Sequence, residues 1–124
     1  MTNQPPIALL LSDDLIDASR ITGTARSLGL TVRQVGSVDA LDQLVRESAP
    51  SCVLVDLNYP RLDVPGMIRR LSGASPNMPR LVGYGSHVDA VGLKAARAAG
   101  CDLVLPRSAF VEQLADQLPA WMSR

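Results

Sequence analysis

The chain has 124 residues, 47% of them apolar, and its twelve basic and twelve acidic side chains cancel to a formal net charge of zero. That length suits one domain with a substantial core and is short for two. Balanced charge provides no global field for a polyanion, which argues against nucleic acid or an anionic membrane surface as partner, and no apolar run approaches transmembrane length.

Met1 to Pro6 is polar and proline-containing and reads as a flexible lead-in, with the domain proper spanning 7–124. Ile7 to Leu11 is a short apolar run, predicted as a first strand; it is too short and too poor in flanking basic residues for an export signal, so a cytoplasmic location is expected. Ile16, Ile21, Ala25 and Leu28 recur at near-helical spacing, and Gly29 marks the stop. Thr31 to Val35 is a second strand. Ser37 is placed to cap a helix through Glu47, with Val38, Leu41, Leu44 and Val45 on one face and Pro50 beyond its end. Cys52 to Val55 reads as strand three. The prolines and glycines from Pro60 to Pro79 then leave space only for a short helix around Met67 to Leu71. Leu81 to Tyr84 is a fourth strand, Val88 to Ala99 an alanine-rich helix stopped by Gly100, and Leu103 to Leu105 a fifth strand. Ser108 is placed to cap a last helix carrying Val111, Leu114, Ala115 and Leu118, which frays around Pro119 and Trp121. Five alternations of strand and helix call for a parallel sheet covered on both faces. Cys52 and Cys101 lie beside apolar runs with no zinc-type spacing, and are expected as reduced core thiols.

The chemistry concentrates at the ends of two of these runs. The first strand leads into Ser12-Asp13-Asp14, and the third into Asp56-Leu57-Asn58-Tyr59-Pro60. If the two strands are parallel neighbours, three carboxylates converge at their carboxyl ends, where open α/β sheets place their sites. Crowded carboxylates repel unless a proton or cation sits among them, and a hard divalent ion such as Mg²⁺ is a natural solution. The alternative for Asp13 and Asp14 is capping of the first helix, whose N-terminus favours acidic residues.

These segments resemble the receiver domain of two-component response regulators. Asp56-Leu-Asn58-Tyr-Pro60 is similar to the family's D-x-N-x-P segment, and Asp13-Asp14 to its acidic pair. The resemblance implies a flavodoxin-like (βα)5 fold, a doubly wound five-stranded parallel sheet of order 2-1-3-4-5 between two helical layers. It implies Asp56 as the phosphorylated residue, and a Mg²⁺ ion held by Asp14 and Asp56, by Asp13 largely through water, and by the main-chain carbonyl of Asn58. Arg107 stands where the family has a lysine. A histidine kinase or phosphotransfer protein would supply the phosphoryl group and a downstream protein would receive the signal. The surface around Arg97, Arg107 and Glu112 is implied for that contact, in a monomer or weak homodimer of a stand-alone kind.

Departures from the family set the competing expectations. Gly85 replaces the hydroxyl residue after strand four, so that contact requires Ser86 to rotate in; Val104 replaces the aromatic switch on strand five. Tyr84, one residue earlier, is expected to pack in the core. Pro106 precedes Arg107 rather than following it, and Val64-Pro65 replaces a glycine turn. His87, the single histidine, is expected to be solvated. One reading is a phosphorylated receiver; another is a pseudo-receiver that signals by protein contact without phosphorylation. A nucleotide binder or aspartate-nucleophile hydrolase is disfavoured, because Gly83-Tyr-Gly85 is an incomplete fingerprint and Asn58 stands where such a hydrolase wants a second aspartate. At most, slow self-phosphorylation and dephosphorylation are expected.

Overall fold

The computed structural model describes residues 5–123, so residues 1–4 of the expected lead-in lie outside the described residues. Strands and helices alternate throughout: β1 (Ile7–Leu11), α1 (Leu15–Ser27), β2 (Thr31–Val35), α2 (Val38–Ser48), β3 (Cys52–Asp56), α3 (Val64–Ala74), β4 (Arg80–Gly85), α4 (Ala90–Ala99), β5 (Leu103–Pro106) and α5 (Arg107–Met122). The sheet is parallel, in the order β2-β1-β3-β4-β5 expected from the resemblance. Every residue of β3 is buried, as a strand covered on both faces must be, whereas the edge strand β2 exposes Thr31 and Arg33.

Side-chain alternation divides the core in two. Ala8, Leu10, Leu54 and Val82 face α1 and α5 and meet Ile21, Phe110, Leu114 and Trp121. Leu9, Leu11, Val53, Val55 and Leu81 face the other way and meet Leu41, Met67, Leu71 and Leu93 of α2, α3 and α4. On the first side Tyr84 stacks on Phe110 at 4.3 Å between ring centroids, and Phe110 on Trp121 at 5.7 Å. The sheet's winding reverses between β1 and β3, which opens a crevice above their carboxyl ends.

Several helix ends differ from expectation, each for a local reason. α3 is a full helix because Pro65 sits in its first turn, where the missing N–H goes unused, and Asp63 caps it by accepting from Gly66 N–H at 3.1 Å. α4 starts at Ala90 behind the Asp89 cap, two residues later than expected. α5 starts at Arg107 with no side-chain cap, so Ser108 lies inside the helix. Its far end does not fray at Pro119: Arg80 Nη1 donates to the carbonyls of Ala120 and Trp121 at 2.7 and 2.9 Å, and Trp121 and Met122 are buried. Cys52 and Cys101 are free and buried, as expected. No helix among the described residues is long and apolar enough to cross a membrane.

Candidate functional site

Strand register builds the site. Leu10, Leu54 and Val82 are lateral neighbours facing α1 and α5, and two residues further along each chain the same face carries Ser12, Asp56 and Tyr84. The apolar row thus gives way to a polar one at the carboxyl edge of the sheet. Asp56 is 2% exposed. Its Oδ1 accepts from the Asn58 N–H at 2.9 Å and from Arg107 Nη2 at 3.4 Å, and its Oδ2 accepts from the Ser12 hydroxyl at 3.1 Å. Ser12 is itself fixed: its Oγ accepts from the Asp14 N–H at 3.1 Å, and its carbonyl accepts from Gln34 Nε2 at 2.8 Å.

Two further residues complete the cluster. Asp17, in the first turn of α1, is buried and takes Arg107 Nη1 at 3.2 Å, so a single guanidinium joins α1 to β3 from the start of α5. Its carbon centre also lies 5.7 Å from the centroid of the Tyr84 ring. Burial raises the Asp17 carboxyl above its usual range; Arg107 opposes this, and the charges of Asp14 and Asp56 add to it. Burial, then the charge of Asp56, likewise raises the Tyr84 phenol. The hydroxyl of Tyr84, the Nε of Arg107 and the Oδ2 of Asp17, whose contact with Arg107 is an ion pair without hydrogen-bond geometry, are buried without hydrogen-bond partners, leaving polar capacity unfilled beside Asp56.

Of the residues singled out in the sequence, the structure brings together Asp56 and Arg107, with the backbone N–H of Asn58. Asp13 is exposed, and Asp14 serves the capping role: its Oδ1 accepts from the N–H groups of Ile16 and Asp17 at 2.9 and 3.1 Å. Gly85 is buried, and a Cβ built there would meet Leu57 and Leu93 at 3.3 Å, so apolar side chains fill the space a hydroxyl residue would need. Ser86 accepts weakly from the Val88 N–H at 3.4 Å and lines an open cleft of about 690 Å³ above the cluster, together with Arg20, Asn58, His87, Arg107 and Ser108. Val104 is buried on the opposite side of the sheet, and Arg97 Nη2 donates to its carbonyl at 3.1 Å. Sequence reasoning missed Ser12 and Asp17. Both were signalled: Ser12 continues the inward parity of Leu10, and Asp17 lies four and eight residues before the inward-facing Ile21 and Ala25.

The metal set expected from the resemblance was Asp13, Asp14, Asp56 and the Asn58 carbonyl. These residues do not fit a three-carboxylate centre. Asp14 caps the helix through its Oδ1, Ser12 rather than an acid meets Asp56 from β1, and a guanidinium already stands at Asp56. Among the described residues no three of His, Cys, Asp and Glu are grouped to hold a metal ion. What the arrangement offers is an oriented nucleophile. An ionised carboxylate has about four lone-pair sites. Three are taken by Ser12, Asn58 and Arg107, which leaves Asp56 with capacity to attack an electrophile entering from the cleft.

No protein-family model matches the chain, and no curated protein matches it. Solved structures do. A candidate response regulator from Chloroflexus aurantiacus superimposes with a TM-score of 0.82 at 20% identity, over 98% of this chain and all of that one. The signal receiver domain of a response regulator from Bermanella marisrubri gives 0.80 at 24% identity, over 97% of this chain and all of that one. Response regulator Rcp1, solved in a Mn²⁺-bound form, gives 0.74 at 14% identity over 96% of each chain. The fold is that of response-regulator receiver domains, over nearly the whole chain.

Proposed function

We propose that this protein is a signalling receiver module that accepts a phosphoryl group on Asp56 and passes the signal on by protein contact. The observation that carries this reading is the buried Asp56 carboxylate, fixed at the carboxyl end of β3 by Ser12, Asn58 N–H and Arg107, the last two of which line an open cleft. An Asp56 oxygen attacks phosphorus, the bond from phosphorus to the donor's leaving group breaks, and that electron pair departs with the leaving group. The negative charge gathered at the acyl phosphate lies against Arg107, whose planar fork suits phosphoryl oxygens. The donor is a histidine kinase, a phosphotransfer protein or a small phosphodonor, and the setting is cytoplasmic. The Mg²⁺ expected from the resemblance enters no step of this reading. Asn58, an amide two residues after Asp56, offers no general base, so turnover as a hydrolase is not proposed.

A second reading is favoured by a specific observation on the α4–β5 side. With Gly85 enclosed by Leu57 and Leu93, and Val104 buried while Arg97 holds its carbonyl, the two positions that carry the family's hydroxyl and aromatic switch have no such rotamer to change with the state of Asp56. In that case the fold acts as a pseudo-receiver that signals without phosphorylation, because a modification shifts an equilibrium only through contacts that differ between its states. Incubation with acetyl phosphate followed by intact-protein mass decides between them. One added phosphoryl group, absent in Asp56→Asn, is the expected result; an unchanged mass, with and without added Mg²⁺, leaves the pseudo-receiver.

A further inference from the structure

The cation that the acid pocket requires is already part of the chain. We infer that Arg107, positioned by Asp17, is the resident counter-ion of Asp56 and replaces a divalent metal there, so that phosphoryl transfer to Asp56 proceeds without bound metal. The transfer half of this statement rests on the function proposed above; the counter-ion half does not.

Three features of the cluster support it. First, the acid set is rearranged rather than merely reduced. The row position at the end of β1 holds the neutral Ser12, Asp14 caps α1, and a further buried acid, Asp17, stands in the first turn of that helix. From there it cannot share a metal with Asp56 without displacing Arg107, which lies between them at 3.2 and 3.4 Å. Second, Arg107 is the first residue of α5, where the positive end of the helix dipole disfavours a cation and no side chain caps the helix. The carboxylates of Asp17 and Asp56 offset that unfavourable placement. Third, the Arg107 fork is oriented on several sides: Asp17 takes one terminal nitrogen, Asp56 the other, and the Tyr84 ring lies alongside.

Electrostatics explains why a metal and this arrangement exclude each other. The Asp17 and Asp56 carboxylates and the one guanidinium carry one net negative charge, to which the neighbouring Asp14 at the α1 cap adds another. A divalent ion at Asp56 would face a permanently charged arginine within a few ångströms, beside a carboxylate that is itself buried. On phosphoryl transfer, the acyl phosphate brings more negative charge, and Arg107 can turn both terminal nitrogens toward it as its contact with Asp17 loosens. Arg107 is then catalytic, touching the reacting carboxylate, and Asp17 is a positioning residue that acts through it.

Mn²⁺ binding, followed by the paramagnetic signal of the free ion, tests the counter-ion half on wild type, Arg107→Met and Asp17→Asn, with circular dichroism to check folding. Wild type is expected to hold Mn²⁺ at least about tenfold more weakly than Arg107→Met. Asp17→Asn, which loosens the arginine without deleting it, is expected in between, and it carries the test alone if Arg107→Met does not fold. Wild-type binding as tight as in either variant overturns the inference. The transfer half is read from the rate of phosphoryl uptake from acetyl phosphate in chelator against excess Mg²⁺. Rates within about twofold support it, and a dependence on Mg²⁺ of about tenfold or more overturns it. If Asp56 takes up no phosphoryl group in either solution, the proposed function and the transfer half fail together, while the Mn²⁺ comparison still decides whether Arg107 holds the metal's place.

Discussion

Gly85 shows why restoring a familiar residue need not restore a function. A Cβ at this position would lie 3.3 Å from the side chains of Leu57 and Leu93, tighter than ordinary packing. Gly85→Thr, which would supply the missing hydroxyl, is therefore expected to destabilise the protein by about 1–3 kcal/mol through overpacking, measured as a lower urea midpoint. An unchanged midpoint would mean that Leu57 and Leu93 yield easily and that the glycine has another cause. At this scale the candidate site was half legible in the sequence. Asp56 and Arg107 were recognisable because their neighbours carry a pattern. Asp17 was not, because one acid in a helix reads as solvated until its neighbours Ile21 and Ala25 are known to face inward. Asp13 and Asp14 were read as a pair, although one residue of displacement decides which side chain faces the sheet and which caps the helix.

At the level of elements, helix termini carry most of what the sequence left open. Periodicity located α2 and its Ser37 cap, which accepts from Ala40 N–H at 3.0 Å. It could not reveal that α2 ends on Ala49 in the left-handed region at φ 45°. A Cβ is disfavoured in that conformation by roughly 1–2 kcal/mol. Ala49→Gly is expected to raise stability by up to about 1 kcal/mol, seen as a higher urea midpoint, because the strain that glycine removes exceeds the extra entropy it loses on folding. A lower midpoint would show that the alanine methyl group contributes more packing than its backbone loses. α3 was read too short because prolines were counted as breakers, whereas Pro65 sits in the first turn, where proline is tolerated. The far end of α5 was read as frayed because nothing near Pro119 in sequence foretells Arg80, 40 residues away along the chain, donating to the Ala120 carbonyl.

Across the whole molecule, the parallel sheet and its two helical layers follow from apolar runs that alternate with helical periodicity, while the strand order was implied by the resemblance. The central strand β3 illustrates the energetic consequence. Cys52 is fully enclosed, and burial pushes its thiol from 9.0 up to about 12. The unfolded chain releases this proton near pH 9.0 while the folded chain retains it, so the stability it contributes is complete below that pH and is lost as pH rises toward 12. Burial shifts Cys101 and Tyr84 in the same direction. Urea unfolding across this window is expected to show falling stability, with a shallower fall in Cys52→Ala; a flat profile would contradict the enclosure of β3. The same enclosure surrounds Asp56 at the strand's end, and on the function proposed above the α1–α5 side, joined through Asp17 and Arg107, is the part that responds to charge on Asp56.

The central claim, that Asp56 is a phosphoryl acceptor whose charge is read through Arg107, is tested most directly by mapping backbone amide shifts on adding phosphoramidate. The account predicts shifts centred on Ser12, Asn58 and Arg107 and extending into the first turns of α1 and α5, all absent in Asp56→Asn. An unchanged spectrum, or shifts that persist in Asp56→Asn, would contradict it.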